Sequence, residues 1–230
     1  MRLSKRLEQV AAFVPEGSRL ADIGTDHGYV PIFLISEGKI DRALAMDVRK
    51  GPLARAGEHI LEYGFQHRIE TRLSDGLRML RPGEADAVVI AGMGGELMIR
   101  IISEGRHVWD CVRVWILSPQ SDLDKVRHFL ADHGFLITEE TMLTEDGKYY
   151  TVMRVIRGTM KYAREIDYLY GNCLITAGHP VLADYLDKEI SQAQMILEHL
   201  KEQDTESANQ RIGELNREIG LMKEAIHEMQ

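Results

Sequence analysis

Cysteine is scarce in this sequence of 230 residues, which contains only Cys111 and Cys173. Two thiols so far apart along the chain indicate neither a disulfide framework nor a zinc site, so we expect no metal. The chain also lacks a run of the roughly 20 apolar residues that cross a bilayer, and its N-terminus is amphipathic rather than a secretory signal. We therefore expect a cytoplasmic protein without membrane contact.

The sequence also has no excess of basic residues. The formal net charge is -8, whereas nucleic-acid-binding domains usually carry a basic surface. The balance is uneven, because residues 1–157 hold 21 Lys and Arg against 23 Asp and Glu, and residues 158–230 hold 7 against 13. Local basic clusters in the nearly neutral first part can form a cationic face or be ordinary solvated charge.

Short β-rich runs alternate with helical segments through the first half of the chain. We predict strands at residues 19–23, 42–46, 69–73, 87–91 and 112–117, and such alternation is typical of a parallel sheet covered by helices. Two further runs, 135–143 and 149–156, flank Asp146-Gly147, which is a strong hairpin signal. Parallel strands closed by a hairpin resemble the sheet of S-adenosylmethionine-dependent methyltransferases, so we predict an α/β, Rossmann-like fold.

The chain beyond residue 157 has no strand pattern. Apolar stripes at helical spacing run through residues 182–200 and 212–229, and the second has the alternating spacing of a coiled coil. We predict two antiparallel helices joined by a turn at residues 203–209. The predicted domains are a cofactor-binding domain, 1–157, and a helical coiled-coil domain, 158–230.

The segment DIGTDHGY, residues 22–29, lies where the first strand is expected to end. Gly24 and Gly28 allow a ligand to approach the backbone, and the next helix offers unpaired N–H groups. Asp26 stands where GxGxxG has its middle glycine, which disfavours a pyrophosphate. A cofactor with a positively charged sulfonium would suit Asp22 and Asp26, although a purely structural glycine turn remains the alternative.

Acids also follow the second and third strands. Asp47 can accept both hydrogens of a ribose diol, and Asp75, beside Gly76, can accept from an adenine amino group. Either could be an exposed loop acid when taken alone. Acids at three successive strand ends, on one edge of a parallel sheet, indicate a cofactor that contains a nucleoside.

The fourth strand is followed by a loop of almost no side chains, Gly92-Met93-Gly94-Gly95. We assign Gly92 and Met93 to the cofactor and Gly94 and Gly95 to the substrate, because a bare backbone can lie against a flat base and hydrogen-bond to it. A tight strand-to-helix turn is the alternative. Gln120, after the fifth strand, can read the edge of a base or simply begin the next helix.

These segments together resemble one family, the bacterial tRNA (adenine-22 N1) methyltransferases. The resemblance covers nearly the whole chain, and its most specific motifs are DIGTDHGYVP and IAGMGG. It implies methyl transfer from S-adenosylmethionine to N1 of an adenine in tRNA. The ring nitrogen already has a lone pair, so positioning can supply much of the rate and no strong base is required.

The resemblance also implies roles for residues near the first loop. Asp26 and His27 are the candidate catalytic pair, because a carboxylate stabilises the cationic product ring, and Tyr29 is a candidate substrate contact. We expect phosphate contacts from the basic residues Lys5, Arg6, Lys161 and Arg164. The expected partner is tRNA, with a protein contact through the coiled coil as a further candidate.

Other functions fit parts of the pattern. A nicotinamide-dependent oxidoreductase would share the ribose-binding acid Asp47. This sequence lacks the GxGxxG loop of that class, and the predicted terminal hairpin does not fit its wholly parallel sheet. A small-molecule methyltransferase, or a non-catalytic module that binds tRNA or protein on the same fold, remains open.

Overall fold

The computed structural model describes residues 1–203 and 205–230. The chain divides into two compact units, Met1–Lys161 and Tyr162–Gln230. The elements used below are α1 Lys5–Phe13, β1 Arg19–Ile23, α2 Tyr29–Ser36, β2 Arg42–Asp47, α3 Lys50–Glu62, β3 Ile69–Leu73, β4 Ala87–Met93, α4 Gly95–Glu104, β5 Val114–Pro119, α5 Leu123–Asp132, β6 Phe135–Glu145, β7 Lys148–Arg157, α6 Asn172–Thr176, α7 Pro180–Lys201 and α8 Glu206–Glu228.

The first unit is built on one sheet with the strand order β3-β2-β1-β4-β5-β7-β6. Strands β1 to β5 are parallel, and β7 runs antiparallel between β5 and β6. The predicted Rossmann-like sheet with a terminal hairpin is therefore confirmed. The strand order reverses direction between β1 and β4, and ligands of such sheets bind at the carboxyl ends of the strands beside this point.

The hairpin turn forms where the Asp-Gly pair predicted it. Asp146 and Gly147 have φ angles of 51° and 74°, and Glu145 pairs with Lys148 across the turn. Two successive positive φ angles match the right-handed twist of the strands, which is why Asp-Gly favours this turn.

Both faces of the sheet are covered. Ala87 and Val89 of β4 belong to the apolar core that α1, α2 and α3 share with the sheet. Val88 and Ile90 point to the other face, since side chains alternate along a strand, and they are also wholly buried. Helix α4 packs on β4 and against α5.

The fifth strand starts two residues later than predicted. The N–H of Val112 donates to the carbonyl of Val108 at 3.1 Å, so Val112 belongs to the turn before β5. Val112 is buried in that turn, with an exposed fraction of 2%, which explains why an apolar residue occurs there outside the strand.

The second unit contains two long helices packed against each other, α7 and α8. The carbonyl of Met229, after α8, lies close to Gly178, which precedes α7, so the helices are antiparallel. Helix α8 begins inside the predicted turn, because Thr205 caps it: its Oγ1 accepts from the N–H of Ala208 at 3.2 Å. Residue 204 of that turn lies outside the described residues. Helix α6 was not predicted from the sequence.

None of the helices in the described ranges combines the length and the apolar character needed to cross a membrane.

Candidate active site

A cleft of about 580 Å³ opens at the carboxyl ends of β1 to β4, entirely within the first unit. It brings together most of the residues that the sequence singled out. Those that line it are Arg6, Asp22, Gly24, Asp26, His27, Gly28, Tyr29, Asp47, Asp75, Gly76, Gly92, Met93 and Gln120.

Two backbone hydrogen bonds hold the loop after β1 against β2. The N–H groups of Gly24 and Thr25 both donate to the carbonyl of Met46, at 2.7 and 3.0 Å. Gly24 has a φ of 78°, a conformation that favours glycine, and the Met93 side chain occupies the space that a Cβ of Gly24 would need. Residue 24 therefore has to be glycine for the Met93 side chain to pack against this loop.

Two buried carboxyl groups lie at the ends of adjacent strands. Asp22 is 8% and Asp47 6% exposed, and their strands pair through Ile23 and Met46. Burial raises the pKa of Asp22 to about 6, and the negative charge of Asp47 adds to this rise. Asp47 Oδ1 accepts from the N–H of Arg49 at 2.7 Å, which fixes the carboxylate at the strand end.

Asp75 has a different environment, which the sequence did not reveal. Its Oδ1 accepts from Nη2 of Arg100 at 3.0 Å, and its Oδ2 lies 3.4 Å from Nη1 of Arg78. The hydrogen bond from Arg100 holds the pKa of Asp75 below its ordinary value. Arg100 lies on α4, and nothing local in the sequence near Asp75 indicated this partner.

Asp26 is also held by an arginine. Its Oδ1 accepts from Nη2 of Arg55 at 2.6 Å, and its Oδ2 lies 3.3 Å from Nε2 of His27. The bond from Arg55 is the main cause that lowers the pKa of Asp26. Asp26 therefore stays ionised at neutral pH beside the His27 ring.

Two polar atoms at the cleft are buried without a hydrogen-bond partner among the described residues. They are Nη1 of Arg6 and Nδ1 of His27, both on cleft-lining residues. Burying such an atom unsatisfied costs roughly 1 to 3 kcal/mol. Both atoms lie at the cleft, which fits a site that a polar ligand completes.

Glycine is required at residues 92 and 95 for different structural reasons. Gly92 has a φ of 78°, and a Cβ there would lie 3.1 Å from Nη1 of Arg6. The Arg6 guanidinium lies 5.4 Å from the ring centroid of Tyr150. Gly95 is needed for packing, because a Cβ there would lie 2.5 Å from the carbonyl oxygen of Ser121.

Five predicted substrate residues do not line the cleft: Lys5, Gly94, Gly95, Lys161 and Arg164. The backbone N–H of Lys5 donates to Glu145 at 2.6 Å, and Lys161 is exposed. Arg164 forms ion pairs with Asp167 and Glu228 within the second unit. The phosphate contacts assigned to these basic residues remain predictions.

Gln120 is exposed at the cleft, and its backbone N–H donates to the carbonyl of Met93 at 2.8 Å. This bond joins the loops after β4 and β5. A base-reading role for its side chain remains a prediction.

Two apolar residues at the cleft were not predicted from the sequence. Val48 and Leu97 line it and are 58% and 41% exposed, which suits contact with a flat ring. Val48 directly follows Asp47, so the strand-end position was a usable signal. In the described part of the chain, no group of three or more His, Cys, Asp or Glu residues could hold a metal ion.

The comparisons with known proteins agree with this geometry. A family model described as a methyltransferase domain matches residues 3–153, so the fold and the cleft define a protein of the methyltransferase class. The chain is 33% identical over 232 residues to the tRNA (adenine(22)-N(1))-methyltransferase of Bacillus subtilis (strain 168), covering 98% of each chain. It belongs to the tRNA (adenine(22)-N(1))-methyltransferase family, which confirms the resemblance noted in the sequence.

Solved structures are similar over the full length. A Streptococcus pneumoniae protein in complex with S-adenosyl-L-methionine has 35% sequence identity and a TM-score of 0.88, covering 98% of this chain and 100% of that one. M. capricolum TrmK in complex with S-adenosyl-homocysteine has 26% identity and a TM-score of 0.86, covering 100% of both chains.

Proposed function

We propose that the protein transfers a methyl group from S-adenosyl-L-methionine to N1 of adenine 22 in cytoplasmic tRNA. The observation that carries this proposal is the pair of buried carboxyl groups, Asp22 and Asp47, at the switch point of a methyltransferase sheet. The name of the Bacillus subtilis relative supports the reaction. The S-adenosyl-L-methionine complex of the Streptococcus pneumoniae protein supports the cofactor.

The residues of the cleft fit this cofactor, which has a ribose diol and a positively charged sulfonium. Asp47 can accept from the diol, and the Asp22 carboxylate favours positive charge nearby. Val48 and Leu97 offer apolar contact to the adenine ring of the cofactor. Asp75 accepts from Arg100, and its carboxylate still has lone pairs that can accept from the amino group of that adenine. When bound, S-adenosyl-L-methionine supplies an electrophilic methyl group.

The chain's own task at the target base is to orient it and to stabilise charge. The N1 lone pair of adenine needs no proton removal before it reacts, so orientation carries much of the rate. Methylation leaves the ring positively charged, and the ionised Asp26 carboxylate favours that charge. His27, whose Nδ1 is buried without a partner among the described residues, is available to orient either the base or the cofactor.

Mass spectrometry of nucleosides tests the proposal. The protein is incubated with methyl-labelled S-adenosyl-L-methionine and an unmodified tRNA transcript that has adenine at position 22. We expect labelled 1-methyladenosine from this transcript and none from a transcript with guanine at position 22.

Label in a different nucleoside, or at a different adenine, would replace the proposed target. Cofactor binding without labelling of any tRNA would favour a small-molecule methyltransferase. Absence of cofactor binding would favour a non-catalytic module.

A further inference from the structure

Three aromatic rings lie nearly parallel beside the cleft. The His27 and Tyr29 centroids are 4.9 Å apart with an interplanar angle of 11°. The His59 ring lies 5.3 Å from each of them, at 25° and 15°. His27 and Tyr29 line the cleft, whereas His59, which lies on α3, does not. The His59 ring therefore packs against the other two rings without lining the cleft itself.

Helix α3 holds the loop that carries these rings at two points. Arg55 donates to Asp26 at 2.6 Å. One helical turn later, His59 Nδ1 lies 3.1 Å from the carbonyl oxygen of His27, and Nδ1 donates because a carbonyl only accepts. Residues four apart share one face of a helix, so a single face of α3 holds residues 26–29.

The ring cluster is not simply part of the apolar core. Tyr29 is 38% exposed, and the His27 side chain is 33% exposed. Tyr and His rings with open area present a flat, polarisable surface, and nucleobases stack on such surfaces in RNA-binding proteins. His27 and Tyr29 line the same cleft as Asp22 and Asp47.

We propose that His27, Tyr29 and His59 form a stacking platform for the target adenine, and that Arg55 and His59 are positioning residues that hold it in place. The proposal deepens and rests on the proposed function, because it names the part of the substrate that the rings contact. Arg55 keeps Asp26 beside His27, and His59 keeps the His27 backbone and both rings in their parallel arrangement. A purine is the best occupant, since its two fused rings offer the largest stacking area.

Binding of full-length tRNA, either intact or without the base at position 22, isolates the stacking contribution. The wild-type protein should bind the tRNA with an abasic position 22 about tenfold more weakly than the intact tRNA, in keeping with the usual strength of base–aromatic stacking. An abasic site at a neighbouring, unpaired position should have a much smaller effect.

Protein variants then link this preference to α3. In His59→Ala and Arg55→Ala, the ratio of the two dissociation constants should fall toward one, and the affinity for S-adenosyl-L-methionine should stay within about twofold. His59→Phe keeps a ring and should retain most of the preference. Glu58→Ala, an exposed change between the two positions on α3, should leave the ratio at its wild-type value.

A purely structural role gives a different result, because general loosening weakens both tRNAs equally and leaves the ratio unchanged. An unchanged ratio in His59→Ala, or a wild-type ratio near one, would overturn the platform. These outcomes are distinct from failure of the proposed function, which is seen separately as the absence of 1-methyladenosine from intact tRNA with the wild-type protein.

Discussion

Asp22, which we propose as a cofactor-binding residue, has a carboxyl group whose ionised form opposes folding. Its carboxyl group is buried next to Asp47, and the pKa of about 6 means that the ionised form is less stable here than in water. The raised pKa means that the native state gains stability from the protonated form at low pH. This contribution is lost as pH rises through 6.

Cofactor affinity should therefore depend on pH through Asp22. A positively charged cofactor prefers the ionised carboxyl, so the dissociation constant for S-adenosyl-L-methionine should be constant above pH 7 and rise by up to about tenfold per pH unit below 6. Calorimetry from pH 5 to 8 measures this. Asp22→Asn should bind more weakly, with a flat profile.

The same variant provides a check on stability. At pH 7.5, Asp22→Asn should unfold at a higher temperature than the wild type, with a gain of up to about 3 kcal/mol, because it removes the buried negative charge. A lower unfolding temperature would mean that the carboxylate makes structural contacts that Asn cannot replace.

Asp47 should contribute directly to cofactor binding. Asp47→Ala removes a charge-assisted acceptor from the ribose, so S-adenosyl-L-methionine affinity should fall by roughly 1.5 to 3 kcal/mol in calorimetry at pH 7.5. Leu73→Ala, an exposed change at the end of the neighbouring strand, is the control. Unchanged affinity in Asp47→Ala would remove this residue from the cofactor site.

Asp26 should act on the rate rather than on cofactor binding. Asp26→Asn keeps the shape of the side chain and removes its charge, so kcat should fall, roughly tenfold to a hundredfold, while cofactor affinity is kept. Single-turnover methylation of tRNA measures the rate. Equal losses of binding and rate would instead place Asp26 in the cofactor site.

At the scale of elements, one irregularity in β6 controls a buried ion pair. The pairing register with β7 shifts between Ile137 and Glu139, so Glu140 faces inward instead of Glu139. Glu140 Oε1 accepts from Nε and Nη2 of Arg127 on α5, both at 2.9 Å, and these side chains are 0% and 1% exposed. Strict alternation of strand residues would not have predicted the inward position of Glu140.

Removing this carboxylate should destabilise the first unit. Glu140→Ala leaves a buried guanidinium without this negative partner, which typically costs about 3 to 5 kcal/mol. Chemical denaturation measures the change. Glu139→Ala, the exposed neighbour, should alter stability by no more than about 0.5 kcal/mol. Similar small effects for both variants would show that water or other groups compensate Arg127.

At the scale of the whole molecule, the two units divide the predicted tasks. All cleft-lining residues belong to Met1–Lys161, and the second unit carries most of the net negative charge. An enzyme that acts on one base of a folded RNA needs contacts far from that base to set its register. We therefore expect the second unit to help hold tRNA through its few cations.

Deleting residues 162–230 should separate cofactor binding from tRNA binding. S-adenosyl-L-methionine affinity should stay within about threefold, and tRNA affinity should fall, with a weaker dependence on salt than in the full chain. Filter binding at several salt concentrations measures this, with circular dichroism to confirm folding. Equal tRNA affinity for a folded truncated protein would assign the second unit to a protein partner or to stability.

The candidate site was predictable where its signals are local. The predicted strands can be recognised from their own residues, and parallel strands bring their carboxyl ends to one edge of the sheet. The glycines and acids at these strand ends are those of residues 22–29, Asp47 and Asp75. The pairing of Asp26 with Arg55, and of Asp75 with Arg100, was not predictable. Each arginine lies on a later helix, and its reach depends on how that helix packs.

By itself the sequence determined the alternation of strands and helices in the first unit, the Asp146-Gly147 turn and the acids at the strand ends, because these depend on residues close together in the chain. Only the tertiary structure decided which rings stack beside the cleft and that Glu140 turns inward to Arg127. Such contacts join residues far apart in sequence. They depend on helix packing and on a one-residue shift in strand register, which reverses the face on which every following side chain lies.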